Sequence, residues 1–310
     1  CDVVIVGNPD EVRELAKAVG ADISRVEISQ PGGELHEEFA DEFQKLRAHK
    51  GVTIDGARET LLNPLFWGAM MLRRGLVDTS VAGAKNSTGD VLRAALQVVG
   101  TAEGIRAVSS FFIMVMPEFR GEKDYPIIFA DCAVIPNPNP EQLASIAIAS
   151  ADNTKKLLGI EPVVAMLSFS TKGSSNHPDI DKVLSALEIV QKLRPDINID
   201  GELQADSALI EKIGASKAPG SPVAGKANVL IFPDLDSANI GYKLTQRLAC
   251  AEAVGPFMQG LAKPANDLSR GCSVDDIVNV AVIGLITAQA VICAPIARGG
   301  GVGGRGRPAK

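Results

Sequence analysis

Short aliphatic runs alternate with helical segments along most of the chain, and this alternation constrains the fold more than any other feature. The runs at 163–168, 197–201 and 228–232 have the length and composition of buried strands. Helical patterns at 180–193 and 206–213 separate them. Strands and helices that alternate in this way form parallel sheets through right-handed crossovers, with helices on the faces of the sheet. The sequence therefore predicts an α/β protein.

The composition limits the number of domains and the chemistry of the chain. Its 310 residues are enough for two domains with a large core, and the residues are 46% hydrophobic but only 4% aromatic. The five cysteines form no CxxC pair and there are three histidines, so no zinc spacing appears and no metal site is expected. An odd number of widely spaced cysteines fits reduced thiols in the cytoplasm.

Charge and hydropathy argue against several kinds of partner. The net charge of −6 disfavours non-specific binding of nucleic acid. No apolar run reaches the ~18 residues that a membrane span needs, and no signal peptide is visible. We therefore expect a soluble, cytoplasmic protein without nucleic-acid or membrane partners. The tail at 298–310 is rich in Gly and Arg, cannot bury a core, and is expected to be disordered.

The segment at 266–277 places a hydroxyl, a guanidinium and carboxylates next to a helix start. Ser273 has the position of an N-cap, and Asp276 lies in the first turn of a long apolar helix. The preceding loop carries Ser269 and Arg270 at the positive end of that helix, which favours anions. Acyl or phosphoryl transfer needs a hydroxyl donor, a cation and a base. The same residues also fit a capped surface helix with a salt bridge, and the local sequence leaves both interpretations open.

Two further places have features of anion sites. The segment at 86–93 follows a predicted strand and begins a helix, so backbone N–H groups near Ser87 and Thr88 can cradle an anion, with Arg93 about one turn further on. An ordinary strand–helix turn with a surface arginine has the same pattern. Arg47 ends a predicted helix, where the simplest role of a cation is to stabilise the helix dipole.

Two loops could belong to a ligand cleft. The segment at 168–175 is rich in hydroxyls and follows a predicted strand, where open α/β sheets bind ligands, although the Walker A pattern is missing. The segment at 216–228 is rich in Pro and Gly and leads into another predicted strand. It suits a rigid loop that shapes a cleft as well as it suits a catalytic one.

The active-site segment of phosphate acetyltransferases closely resembles the sequence KPANDLSRGCS at 263–273. The resemblance extends over nearly the whole chain, and its motifs are specific at four places: 83–93, 162–174, 216–242 and 260–277. It implies two three-layer α/β/α domains with mainly parallel sheets and an active-site cleft between them. The first would be discontinuous, with residues 1–108 plus 255–310, and the second, 109–254, would be inserted. Because the family normally carries a further strand and helix before residue 1, we expect the first βα unit to be missing.

The resemblance also implies a reaction, the reversible transfer of an acetyl group between coenzyme A and phosphate. The partners would be coenzyme A, acetyl phosphate and inorganic phosphate, with no tightly bound cofactor, no metal, and a homodimeric assembly. In the direction of acetyl-CoA, Asp276 would take the thiol proton of coenzyme A. Ser269 would donate a hydrogen bond to the carbonyl oxygen, and Arg270 would hold the leaving phosphate.

Residues elsewhere would hold coenzyme A itself. The resemblance assigns Ser87, Thr88 and Arg93 to its phosphates, together with Arg47, since the planar fork of arginine bonds two phosphate oxygens. Cys272 could carry a thioester intermediate. Coenzyme A already supplies a thiol, however, so we expect Cys272 to be a structural residue near the site.

Two rival functions remain open. Phosphate butyryltransferases share the fold and the chemistry with a longer acyl group. A related domain at the C-terminus of some bacterial malic enzymes senses acetyl-CoA without catalysis. The presence of Ser269, Arg270 and Asp276 favours catalysis over sensing.

Overall fold

The computed structural model describes residues 1–292 except 104 and 106, so the tail at 298–310 lies outside the described residues. The ten described strands are β1 (Val4–Val6), β2 (Glu27–Ser29), β3 (Ser80–Ala82), β4 (Ser109–Phe119), β5 (Glu122–Ala130), β6 (Val163–Leu167), β7 (Asn198–Leu203), β8 (Val229–Ile231), β9 (Glu252–Gln259) and β10 (Ala265–Asp267). The eleven described α-helices are α1 (Pro9–Val19), α2 (His36–Arg47), α3 (Ile54–Thr60), α4 (Pro64–Arg74), α5 (Thr88–Val98), α6 (Pro140–Asn153), α7 (Pro178–Leu193), α8 (Ala205–Leu209), α9 (Glu211–Lys217), α10 (Leu235–Leu248) and α11 (Val274–Ile292).

The larger sheet contains six strands in the order β7-β6-β8-β5-β4-β9. Strands β7, β6, β8 and β5 pair in parallel, whereas β4 runs antiparallel to both β5 and β9. Helices α7 and α8–α9 lie between consecutive parallel strands in the chain, as the alternation of strand and helix patterns predicts. The predicted α/β class with mainly parallel sheets is therefore confirmed.

Both faces of this sheet are buried. Along β4, Phe111 and Ile113 belong to the core that includes residues of α6 and α7, while Phe112 and Met114 belong to the core that includes residues of α8 and α10. Side chains alternate between the two faces of a strand, so neighbours in sequence enter different cores. Each fully buried side chain of this size contributes roughly 1.5–3 kcal/mol. This double burial explains why the strands read as continuous apolar runs.

Two smaller parallel sheets complete the described part of the chain. Strand β1 pairs with β2, and β3 pairs with β10. Their helices enclose a third core around Trp67, which packs against Phe39 at a ring distance of 4.9 Å. The indole Nε1 of Trp67 donates to Ser29 Oγ at 2.8 Å, which ties α4 to β2.

The β4–β5 hairpin is longer than the sequence predicts. Strand patterns at 107–116 and 127–135 leave a loop between them, but the two strands pair as far as Phe119 and Glu122. The tip of the hairpin is exposed and charged, so it lacks the apolar alternation that identifies a half-buried strand. At the other end, β5 stops at Ala130, earlier than expected.

Strand β9 differs from the sequence prediction, because the helical pattern at 239–253 predicts a helix as far as residue 253, whereas α10 ends at Leu248. The predicted domain boundary between residues 254 and 255 falls inside β9, which pairs with β4 in the larger sheet. The division into 1–108 plus 255–310 and 109–254 stays a prediction. Within the described part of the chain, no helix combines the length and the hydrophobicity that crossing a bilayer requires.

Candidate active site

A cavity of about 660 Å³ contains several of the predicted site residues. Its lining includes Ser87 and Thr88 at the start of α5, and Ser269, Arg270 and Asp276 at and before the start of α11. The other lining residues are Asn86, Phe112, Ala133, Leu235, Asn239, Tyr242, Lys243, Gln246, Arg247, Ala253, Gly255, Pro256, Asp267, Leu268, Gly271 and Cys272.

Strand pairing brings the two loops of one wall together. Strands β3 and β10 are parallel neighbours, with Ala82 opposite Asp267. The loops that follow them therefore emerge at the same carboxyl edge, which is where open α/β sheets bind ligands. Each loop leads into the N-terminus of a helix, α5 or α11, so two positive helix ends flank this wall.

The start of α11 forms a reciprocal cap. The Asp276 backbone N–H donates to Ser273 Oγ at 3.1 Å, and the Ser273 N–H donates to Asp276 Oδ2 at 2.8 Å. The N-cap predicted at Ser273 is confirmed. Asp276 Oδ1 has no hydrogen-bond partner among the described residues, so the carboxylate keeps one oxygen available to a ligand. The cap holds this carboxylate in a fixed orientation at the cavity.

Ser269 and Arg270 lie on the exposed loop before that cap. The loop turns tightly, because the Cys272 N–H donates to the Ser269 carbonyl at 3.0 Å. Its upstream end is anchored where the Leu268 N–H donates to the Ala82 carbonyl at 2.7 Å. Cys272 is partly buried and also lines the cavity. A hydroxyl, a guanidinium and a carboxylate therefore share one wall.

The side chains of Ser87 and Arg93 are occupied by local contacts within α5. Ser87 Oγ donates to Asp90 Oδ2 at 2.7 Å and caps the helix, and Arg93 Nη1 pairs with Asp90 Oδ1, also at 2.7 Å. The hydrogen bonds from Ser87 and then from Arg93 hold the pKa of Asp90 below its ordinary value. The exposed Arg93 does not line the cavity.

Arg47 is also outside the cavity. It is partly buried at the C-terminus of α2, and its Nε is buried without a hydrogen-bond partner among the described residues. The structure thus brings together five of the seven predicted site residues and leaves Arg47 and Arg93 outside the lining.

Helix α10 forms a second wall of the cavity. Its first residues belong to the motif at 216–242, but none of its side chains is among the predicted site residues. One face of this helix lines the cavity, from Leu235 and Asn239 at its N-terminal end to Lys243 and Arg247 towards its C-terminal end. The spacing of these residues by four places them on one helical stripe. The stripe begins with Leu235 and the neutral amide of Asn239 and ends with two cations, which suits an elongated ligand with an anionic part.

An aromatic pair forms the apolar part of the cavity. Tyr242 of α10 stacks on Phe112 of β4 with ring centres 4.4 Å apart. Burial, with a smaller contribution from nearby Cys132, raises the pKa of Tyr242. The phenol is therefore neutral over the physiological pH range, and the pair presents an apolar surface to a ligand.

The loops at 168–175 and 216–228 contribute no residue to the cavity. They contact each other through β7 instead. Lys172 Nζ lies 2.5 Å from Asp200 Oδ1, and Ser221 donates to the other oxygen of the same carboxylate. Ser170 Oγ donates to Glu202 Oε1 at 2.8 Å. The loop at 168–175 does not line this cavity, and the polar groups of Ser170 and Lys172 are paired with β7.

Comparison with known proteins identifies the family of this chain. A family model described as "Phosphate acetyl/butaryl transferase" matches residues 1–285. The chain is 53% identical to a phosphate acetyltransferase of Thermoanaerobacterium thermosaccharolyticum over 93% of this chain and 88% of that protein. It is 50% identical to one from Clostridium acetobutylicum over 93% and 87%. A solved phosphotransacetylase from Streptococcus pyogenes superposes with a TM-score of 0.87 at 42% identity, covering 93% of this chain and 86% of that one. The chain therefore belongs to the phosphate acetyl/butaryl transferase family.

Proposed function

We propose that the protein catalyses the reversible reaction of acetyl-CoA and phosphate to coenzyme A and acetyl phosphate, as a cytoplasmic enzyme of acetate metabolism. The observation that carries this proposal is that Ser269, Arg270 and Asp276 line one cavity. Relatives at about half identity are named phosphate acetyltransferases. The four described cysteines are all free thiols, which fits a reducing compartment.

The mechanism is a direct transfer with both substrates bound. In the direction of acetyl-CoA, Asp276 accepts the thiol proton of coenzyme A, since free thiols with a pKa near ~8.5 are mostly protonated at neutral pH. The thiolate attacks the carbonyl carbon of acetyl phosphate. Ser269 donates to the carbonyl oxygen as it gains charge, and the bond to phosphate then breaks while Arg270 holds the leaving group. Cys272 takes no covalent part.

The cavity offers places for the charged part of coenzyme A. Lys243 and Arg247 lie on the wall formed by α10, and the backbone N–H groups at the start of α5, near Ser87 and Thr88, favour anions. We infer that Arg93 contributes from outside the lining, one turn into the same helix. Arg47, with a buried Nε that lacks a partner among the described residues, is the second external candidate for a phosphate contact.

Arg93→Ala is expected to raise the KM for coenzyme A several-fold with little change in kcat, because it removes a phosphate contact made in both ground and transition states. Arg13→Ala is the matched control. Arg13 pairs with Asp10 in the first turn of α1, as Arg93 pairs with Asp90 in α5, and the two arginine side chains are similarly exposed, at 65% and 59%. An unchanged KM in Arg93→Ala, or the same rise in both variants, contradicts the binding role.

We also propose a homodimer. The exposed face of α11 carries Val274, Val278 and Val282, which are 75%, 52% and 48% exposed. These residues are four apart and form an apolar stripe, and a two-fold partner with the same stripe would bury it. Light scattering should give twice the mass of one chain. A single-chain mass at micromolar concentration contradicts the proposal.

A panel of acyl phosphates tests the proposed activity. Wild-type protein is mixed with coenzyme A and acetyl, propionyl or butyryl phosphate, and both thioester formation and thiol loss are followed. Acetyl phosphate should have the highest kcat/KM, since each additional methylene that the acyl pocket does not fit should lower kcat/KM by about 10-fold or more. A preference for butyryl phosphate favours a butyryltransferase instead. No thioester with any of the three contradicts catalysis and favours an acetyl-CoA sensor.

A further inference from the structure

We propose that Asp267 is a positioning residue that fixes the loop carrying Ser269 and Arg270 against the start of α5. The inference rests on the proposed transferase activity and adds a residue to its machinery. Asp267 is the last residue of β10 and stands two positions before Ser269. It is only 2% exposed, yet it lines the cavity.

A short hydrogen bond joins the two loops of this wall. Thr88 Oγ1 donates to Asp267 Oδ2 at 2.5 Å, across 179 residues of sequence. Thr88 is the first residue of α5, and Asp267 leads directly into the loop with the proposed oxyanion donor. Because the Thr88 hydroxyl donates to Asp267, it is not free for a ligand. Thr88 instead contributes to ligand binding by orienting the start of α5.

The neighbouring backbone is shaped to admit this carboxylate. Gly83 follows β3 with a φ of +116°, which side-chain-bearing residues rarely adopt. A Cβ at Gly83 would overlap Asp267 Oδ1 and would lie 2.6 Å from Leu268 N. The loop after β3 thus approaches the loop after β10 without space for a side chain. This close approach, together with the Thr88 hydrogen bond, fixes the separation of the two loops.

Burying this carboxylate lowers the stability of the fold, and this loss of stability argues that Asp267 has a functional role. Asp267 Oδ1 is buried without a hydrogen-bond partner among the described residues. Burial raises the pKa of Asp267, against the smaller opposing effects of the hydrogen bonds from Thr88 and Leu268 N–H. A buried polar atom without a partner destabilises a fold, and proteins tolerate such atoms mainly at functional sites.

Two variants break the contact from its two sides. Thr88→Val removes the donor with little change in shape, and Asp267→Leu removes the acceptor. Each should lower kcat by about 10- to 100-fold, because a small misplacement of reacting groups has effects of that size. The double variant should lose no more than the worse single variant, since both changes break the same hydrogen bond. Asp267→Asn, which keeps an oxygen for Thr88, should recover most of the kcat lost in Asp267→Leu.

The controls separate positioning from stability. Thr79→Val removes a similar partly buried hydroxyl, which donates to the Pro264 carbonyl at 3.0 Å and does not line the cavity, and it should leave kcat unchanged. Melting temperatures of all variants are measured in parallel, and kcat is measured well below them. The inference is overturned if the losses in kcat multiply in the double variant, if kcat is unchanged in Thr88→Val, or if Asp267→Asn recovers no kcat. An active wild type with any of these results leaves the transferase proposal intact, whereas an inactive wild type overturns both.

Discussion

Asp276→Asn is expected to lower kcat by about 100- to 10,000-fold, the usual contribution of a positioned general base. The KM for coenzyme A should change little. Asparagine keeps the shape of the side chain, and its amide oxygen can still accept the Ser273 N–H that now bonds Asp276 Oδ2 at 2.8 Å. The start of α11 is therefore preserved, while the ability to take the thiol proton is lost.

Asp275→Asn is the matched control for this prediction. Asp275 lies in the same helical turn, carries the same charge and is exposed, but it does not line the cavity. Its replacement should leave kcat within about twofold, since it changes only the charge near the helix dipole. A normal kcat in Asp276→Asn removes the base assignment. Equal losses in both variants would indicate that helix-end charge, rather than proton transfer, matters.

Ser269→Ala is expected to lower kcat by about 100- to 1,000-fold in both directions of the reaction. The tetrahedral intermediate is common to both directions, so the loss of its oxyanion donor has to affect both. This corresponds to roughly 3–4 kcal/mol of transition-state stabilisation. The KM values for acetyl phosphate and coenzyme A should change much less, because the hydrogen bond strengthens only as charge develops on the oxygen.

A serine outside the cavity provides the comparison for Ser269. Ser175 is exposed on the loop after β6, and its replacement by alanine should leave kcat unchanged. The measurement is kcat and KM, from initial rates of both variants in each direction of the reaction. A loss confined to one direction, or a rise in KM without a fall in kcat, contradicts the oxyanion role of Ser269.

The local parts of the fold and site could be predicted from the sequence. Helix α1 and the start of α11 have their own signals, such as Pro and acidic residues in the first turn and Ser273 as a cap. The buried parallel strands can be recognised as aliphatic runs because both faces of their sheet are covered. The loops at 86–88 and 266–273 could be recognised as candidate sites because each precedes a predicted helix start, although β10 itself was not predicted.

The parts that depend on long-range packing could not be predicted. A helix was expected near α10, but which of its faces meets a cavity depends on elements far away in the chain. Lys243 and Arg247 are therefore not among the predicted site residues. The hydrogen bond of Asp267 could not be predicted, because its partner Thr88 is 179 positions away in the sequence. The pairing of β9 with β4 likewise depends on tertiary context, which overrode the helical pattern of the preceding segment.

The central claim is that the acetyl group passes directly between phosphate and coenzyme A in this cavity. Isotope exchange tests it most directly. Wild-type protein is incubated with acetyl phosphate and radiolabelled inorganic phosphate, with and without coenzyme A, and label in acetyl phosphate is measured. Direct transfer predicts exchange only when coenzyme A is present. Exchange without coenzyme A would reveal an acetyl-enzyme, with Cys272 the first residue to examine, and no exchange in its presence would contradict the proposed activity.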